Sequence, residues 1–137
     1  MQEIKFRAWV KKTKEMRLVA QMDLDCFTGS GIHVRPFGMS HPSLQPKQII
    51  LMQFTGLVDT KGVAIYDGDI LEFRRKDKRK SKFPINVVAW NEEALQFSYK
   101  ALGTEHWNHI RHIKKAIGEG CTFKVIGNIH ENSDLLV

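Results

Sequence analysis

A mostly β, α+β fold is predicted: an antiparallel curled sheet resembling a small SH3-like barrel, with one helix in the C-terminal half. Three observations lead there. Apolar and polar residues alternate in several short runs, the runs are joined by turn-rich segments rather than by helices, and a single stretch carries helical spacing. The chain has 137 residues, 42% of them hydrophobic and 26% charged, which suits one folded domain spanning 1–137 and excludes a disordered or multidomain chain.

Near the N-terminus Ile4, Phe6, Ala8 and Val10 alternate with Lys5, Arg7, Trp9 and Lys11, the period of a strand with one buried face. The polar KKTKE can turn the chain, so that MRLVAQM (Met16–Met22) returns beside it as a hairpin. Residues 28–46 hold Gly29, Gly31, Pro36, Gly38, Pro42 and Pro46, and are expected to form a long irregular loop. QIILMQF from Gln48 reads as a buried strand and LVDTKG as a turn. In IYDGDILEF the residues Tyr66 to Asp69 form a turn that launches a further strand through Ile70, Leu71 and Phe73.

That strand runs into RRKDKRKSK. Pro84 is expected to end the resulting loop, 74–84, and INVVAW (Ile85–Trp90) to be its antiparallel partner, followed by a turn at Asn91–Glu93 and a strand in LQFSYK. Thr104 to Ile117 is the helix candidate, with Trp107, Ile110, Ile113 and Ile117 three or four apart, Thr104 as its cap and Gly118 as its stop. CTFKVIGNI reads as a final strand and HENSDLLV as a short tail. The count is about six strands and one helix.

Charge is distributed unevenly. The net charge is +6, and Arg74, Arg75, Lys76, Lys78, Arg79, Lys80 and Lys82, with Asp77 the single acid among them, account for a local +6; the other residues balance. A field that attracts a polyanion is therefore concentrated at one strand-to-strand tip, where long cationic side chains can neutralise phosphates. The plainer reading is a solvated loop that maintains solubility. Tyr66, Phe73 and Trp90 are candidates for an aromatic stacking platform beneath this tip, with core packing as the alternative.

Other constellations are weaker. His106, His109 and His112 recur every third residue, and on one helix such residues fall within an arc of about 120°, a stripe that can ligate zinc. The plain alternative is the polar flank of an amphipathic helix. Asp67 and Asp69 around Gly68 suit a turn that caps its own backbone better than a metal pair. Cys26 and Cys121 stand far apart and read as small apolar residues, without a disulfide. Catalytic residues are not assigned, and a cofactor is not expected, since neither a nucleophile elbow nor a phosphate-binding glycine loop is present.

IKFRAW at Ile4–Trp9, LMQFTGLVDTKGVAIYDGDIL at Leu51–Leu71 and FKVIGNIHENSDLL at Phe123–Leu136 together resemble the YopX family of phage and prophage proteins. These blocks cover about a third of the chain and lie at both ends and the centre in the right order. Similar proteins more often carry Tyr where His130 stands and Pro where Ser133 stands. The resemblance implies a small phage-encoded protein of the host cytoplasm, in a family without an established biochemical function, and it transfers no catalytic residue. Gly56, Gly62, Gly68 and Gly127 in these blocks are expected at turns or close backbone approaches, a reading of fold before function.

The expected function is a non-enzymatic binding module that contacts nucleic acid, or a host or phage protein, through Arg74–Lys82. A metal-binding protein or hydrolase built on the three histidines is the alternative, and a self-assembling structural accessory protein is another, since open strand edges invite homo-oligomers. A membrane partner is not expected: the chain lacks an apolar run of about 20 residues, and its start lacks the pattern of a signal peptide.

Overall fold

The computed structural model describes residues 3–25, 31–39 and 43–137, with side chains omitted at 24, 25, 31 and 32. By contacts the chain divides into two compact units, Met1–Gln53 and Phe54–Val137. The described residues form a mostly β structure with two antiparallel sheets and one helix.

In the first unit, β1 (Phe6–Val10) forms a hairpin with β2 (Glu15–Asp25), in a register that sets Val10 opposite Glu15. On its other side β1 pairs with the start of β4 (Ile49–Val58), Val10 facing Ile49. The alternation read from Phe6, Ala8 and Val10 is realised: Ala8 and Val10 are buried and form a core with Val34 and Ile49. Residues 28–46 are not wholly irregular. β3 (Gly31–Pro36) lies within them, paired to β2 from Val19 to Asp25, and a single 3-10 turn (Pro46–Gln48) leads into β4. The backbone groups of β2 beyond the first hairpin need partners, and a strand supplies them in spite of Pro36 at its end. Gly29 and Pro42 lie outside the described residues, as does Cys26.

In the second unit the remainder of β4 pairs with β5 (Ala64–Tyr66). A five-stranded sheet follows, built from β6 (Asp69–Arg74), β7 (Lys80–Asn91), β8 (Gln96–Ala101), β9 (Asn108–His109) and β10 (Thr122–Asn128), in the order β10-β6-β7-β8-β9. Its ends do not pair with one another, so this sheet is open and the closed barrel of an SH3-like fold is not formed. α1 (Arg111–Gly118) lays Ile113, Ala116 and Ile117 against Leu71, Val88, Tyr99 and Phe123. Ile65 and Ile110 complete this core.

The helix is shorter than the spacing of its apolar residues predicts. Gly103 has φ +96°, Thr104 Oγ1 donates to Ala101 O at 2.8 Å instead of capping a helix, and Asn108 and His109 pair with Tyr99 and Ser98 of β8. Pairing satisfies backbone groups at the edge of β8, and that outcome prevails over a helical periodicity that begins too early. The tail contains a second 3-10 turn (Ser133–Leu136).

The turns of the second unit are tied by buried polar side chains. Asp59, which is 4% exposed, accepts at Oδ1 from the N–H groups of Lys61 (2.8 Å) and Val63 (2.9 Å), and at Oδ2 from Val125 N–H (2.9 Å). Thr60 joins the same edge: its N–H donates to Phe123 O and its hydroxyl accepts from Phe123 N–H, both at 3.0 Å. The DTKG turn thereby covers the outer edge of β10. Asp69, also buried, accepts Tyr66 N–H at 2.8 Å across a turn in which Gly68 holds φ +87°. The expected backbone cap in YDGD is therefore present.

Candidate nucleic-acid interface

The basic run occupies a hairpin anchored in this core. β6 enters it with Ile70 and Leu71 fully buried, and Phe73 stacks on Phe123 with ring centroids 5.0 Å apart. Arg74 and Lys80 are on strands and face each other across the ladder, so the true tip is Arg75–Arg79. There Lys78 N–H donates to Arg75 O at 2.8 Å, Arg79 N–H donates to Asp77 Oδ1 at 3.0 Å, and Lys78 takes the left-handed φ of 65°. This is a turn followed by a residue of positive φ, the usual way to close a hairpin of this length.

Among the described residues, two carboxylates approach the run. Asp77 lies 3.8 Å from both Arg75 and Arg79, and Glu72 lies 3.1 Å from Arg74. The Arg75, Asp77 and Arg79 side chains are exposed, 82% in the case of Arg79, and the Arg74–Glu72 pair is half-buried; exposed pairs such as those of Asp77 neither hold the cations tightly nor remove their field from solvent. One cation assists in docking the tip: Lys78 Nζ donates to Gly120 O at 3.4 Å, just beyond α1, where the carbon chain of Lys76 also lies against Gly120. The hairpin is thus braced at its side while its remaining cations face water.

Pro84 does not end the loop. β7 runs through it, and the ladder adapts: Glu72 pairs with Ile85 and Arg74 with Lys80, so that Phe73 alone opposes the four residues 81–84. Proline has no N–H to give to the ladder, and a bulge is where a strand tolerates it. The bulge sets Ser81 and Phe83 at the rim of a cavity of about 280 Å³, whose other walls include Phe73, Asn86, Tyr99 and Phe123. Gly103 lies beside the Phe83 ring, where an added methyl group would come within 3.3 Å of it, and Lys82 Nζ lies 5.4 Å from the ring centroid. Burial raises the Tyr99 phenol above its ordinary value of 10.0, so its hydroxyl is neutral at physiological pH.

The aromatic platform expected from Tyr66, Phe73 and Trp90 is not assembled. Tyr66 is buried against Phe54, Phe73 belongs to the core around Phe123, and Trp90 stands at the far end of β7 from the tip, edge-on to Phe97. Phe83 takes the position near the cations instead. The sequence signal was Pro84 next to it, which marks a bulge and hence a side chain displaced from the ladder.

The three histidines do not share a helix face. His106 precedes β9, His109 lies in β9 and His112 in α1, and the rings of the last two are 6.4 Å apart. His109 Nδ1 accepts the N–H of Arg111 at 3.0 Å, which withdraws that nitrogen from ligation. No group of three His, Cys, Asp or Glu able to hold a metal occurs among the described residues. Cys121 is a free, half-buried thiol.

Two solved structures resemble the chain over their entire length and its own. Protein EF1440 from Enterococcus faecalis has a TM-score of 0.57 at 23% identity, and protein yopX from Bacillus subtilis a TM-score of 0.63 at 17% identity. At this identity the likeness is one of fold. No curated protein matches the sequence. The family model described as YopX protein matches residues 5–137. Three buried polar residues in the blocks that resemble that family, Asp59, Asp69 and Asn128, are bonded to backbone at turns, an architectural use, and on the match of nearly the whole chain the protein belongs to the YopX family.

Proposed function

We propose that this protein is a non-enzymatic binding module that contacts nucleic acid through the β6–β7 hairpin, with Arg74, Arg75, Lys76, Lys78, Arg79, Lys80 and Lys82 as the phosphate contacts. One observation carries the reading: the whole net charge of the chain is gathered on a hairpin fixed at its base by buried residues, and among the described residues Asp77 and Glu72 are the acidic groups that pair with its cations. A braced hairpin presents its charges without the ordering entropy that a free basic tail would lose on binding. On this reading the protein acts in the host cytoplasm, as a phage-encoded member of its family would. No helix among the described residues is long and apolar enough to cross a membrane.

Association with short DNA and RNA, measured by fluorescence anisotropy at several salt concentrations, tests the proposal. Affinity is expected to fall with salt, with a log–log slope of about 0.7 to 0.9 per phosphate contacted. Replacing Arg75, Lys78, Arg79 and Lys80 together by Gln is expected to flatten that slope. Absence of binding at low salt, or an unchanged slope in the variant, overturns the reading.

A further inference from the structure

The cavity at the base of the hairpin extends this reading and rests on it. It is open, about 280 Å³, and its apolar walls are four rings, Phe73, Phe83, Tyr99 and Phe123, with Ala101 and Ala116. Ser81 and Asn86 add polar groups. Ser81 Oγ accepts Phe83 N–H at 3.3 Å, and Asn86 Nδ2 donates to Pro84 O at 3.3 Å; the hydroxyl proton of Ser81 is not used in either bond. Two of the lining residues, Ser81 and Phe83, flank Lys82 within the bulge, so the apolar cleft and the cationic hairpin are one continuous piece of β7.

We propose that this cleft is a base-stacking site for single-stranded nucleic acid, in which an unpaired base lies against Phe83 while the hairpin cations, Lys82 first, hold the neighbouring phosphates. Charge complementarity favours this occupant over an apolar peptide side chain: a nucleotide carries a phosphate that can pair with the cations beside the opening, and an apolar side chain does not. Geometry selects a single strand, because a paired base is stacked within its duplex and cannot present its face to a ring without being flipped out. Phe83 is prepared for the task. It is 37% exposed although it is a large aromatic residue, and Gly103, at φ +96°, leaves room for its ring.

The experiment compares a short labelled oligothymidylate, an abasic strand of equal length and a duplex of the same length, by anisotropy at low salt. The oligothymidylate is expected to bind about tenfold more tightly than the abasic strand, the magnitude of one good base–aromatic stack. Phe83→Ala is expected to erase that difference, and Phe83→Trp to retain it. Ser81→Leu, which fills the cleft with an aliphatic side chain and adds no ring, is expected to act like the alanine variant and serves as a second test should Phe83→Ala fail to fold. Equal affinity for the two strands, a preference for the duplex, or a preference that survives in either variant, Phe83→Ala or Ser81→Leu, as a folded protein overturns the stacking site while the hairpin reading stands. Failure to bind either strand or the duplex overturns the hairpin reading and this one with it.

Discussion

Asp59 and Asp77 each sit in a turn between strands of the second unit, and each accepts the N–H two residues ahead, from Lys61 and Arg79 respectively. Beyond that shared start they diverge. Asp59 is buried and collects two further backbone donors, one of them Val125 on a strand distant in sequence. Asp77 is exposed and faces two guanidinium groups at 3.8 Å, beyond hydrogen-bond distance. A carboxylate bonded to backbone and withdrawn from water is part of the architecture. An exposed one, with a single backbone donor from its own turn and two guanidinium groups beside it, is a counterion whose place beside those cations a phosphate can take. The comparison separates the motif blocks, which build the fold, from the hairpin, which the fold presents.

The largest expected effect is that of Asp59→Ala, which leaves three backbone donors without their acceptor. A loss of about 3 kcal/mol or more is expected, read as a lowered midpoint in chemical denaturation, and a loss below about 1 kcal/mol would erase the distinction between the two turns. Gly127→Ala tests the same class of contact at β10. Its added methyl would meet Asn132 Oδ1, the acceptor for Asn128 N–H, and a destabilisation of about 1 to 3 kcal/mol is expected by thermal unfolding. Asp77→Ala should cost under about 0.5 kcal/mol, yet tighten binding to a short single strand at low salt by removing a competing negative charge. Weaker binding by this variant would mean that Asp77 shapes the site rather than neutralising it.

Acidification gives the smallest effect. Partial burial, then the charges of Arg111 and His112, hold His109 below its ordinary 6.5. The unfolded chain therefore takes up this proton more readily than the folded one, and stability is expected to fall as pH drops through 6.5 and below, with nothing lost above it. Urea titrations at several pH values read this, and His112→Gln is expected to reduce the slope. A slope unchanged in that variant would remove His112 as a cause.

Much of the fold is legible in the order of the residues alone. Alternation at Phe6–Val10, the turn chemistry of YDGD and the apolar run after Gln48 are local properties, since each depends on neighbours within a few residues. The place of the basic run between two strands follows from the same reading. The helix start, β3 and the bulge at Pro84 do not, because each depends on the register in which one strand pairs with another and not on the residues inside the segment itself: Asn108 with Tyr99, Val34 with Met22, Arg74 with Lys80. The histidine stripe fails for this reason, as its period has meaning only if residues 106–112 form one helix.

What the sequence by itself determined is the mostly β class, the uneven charge and the family, because composition and short motifs carry them. What only the tertiary structure decided is which aromatic ring stands beside the cations. Tyr66 and Trp90 had equal claims by residue type, and Phe83 takes the place because proline withholds a ladder hydrogen bond and the strand must swell where it does so.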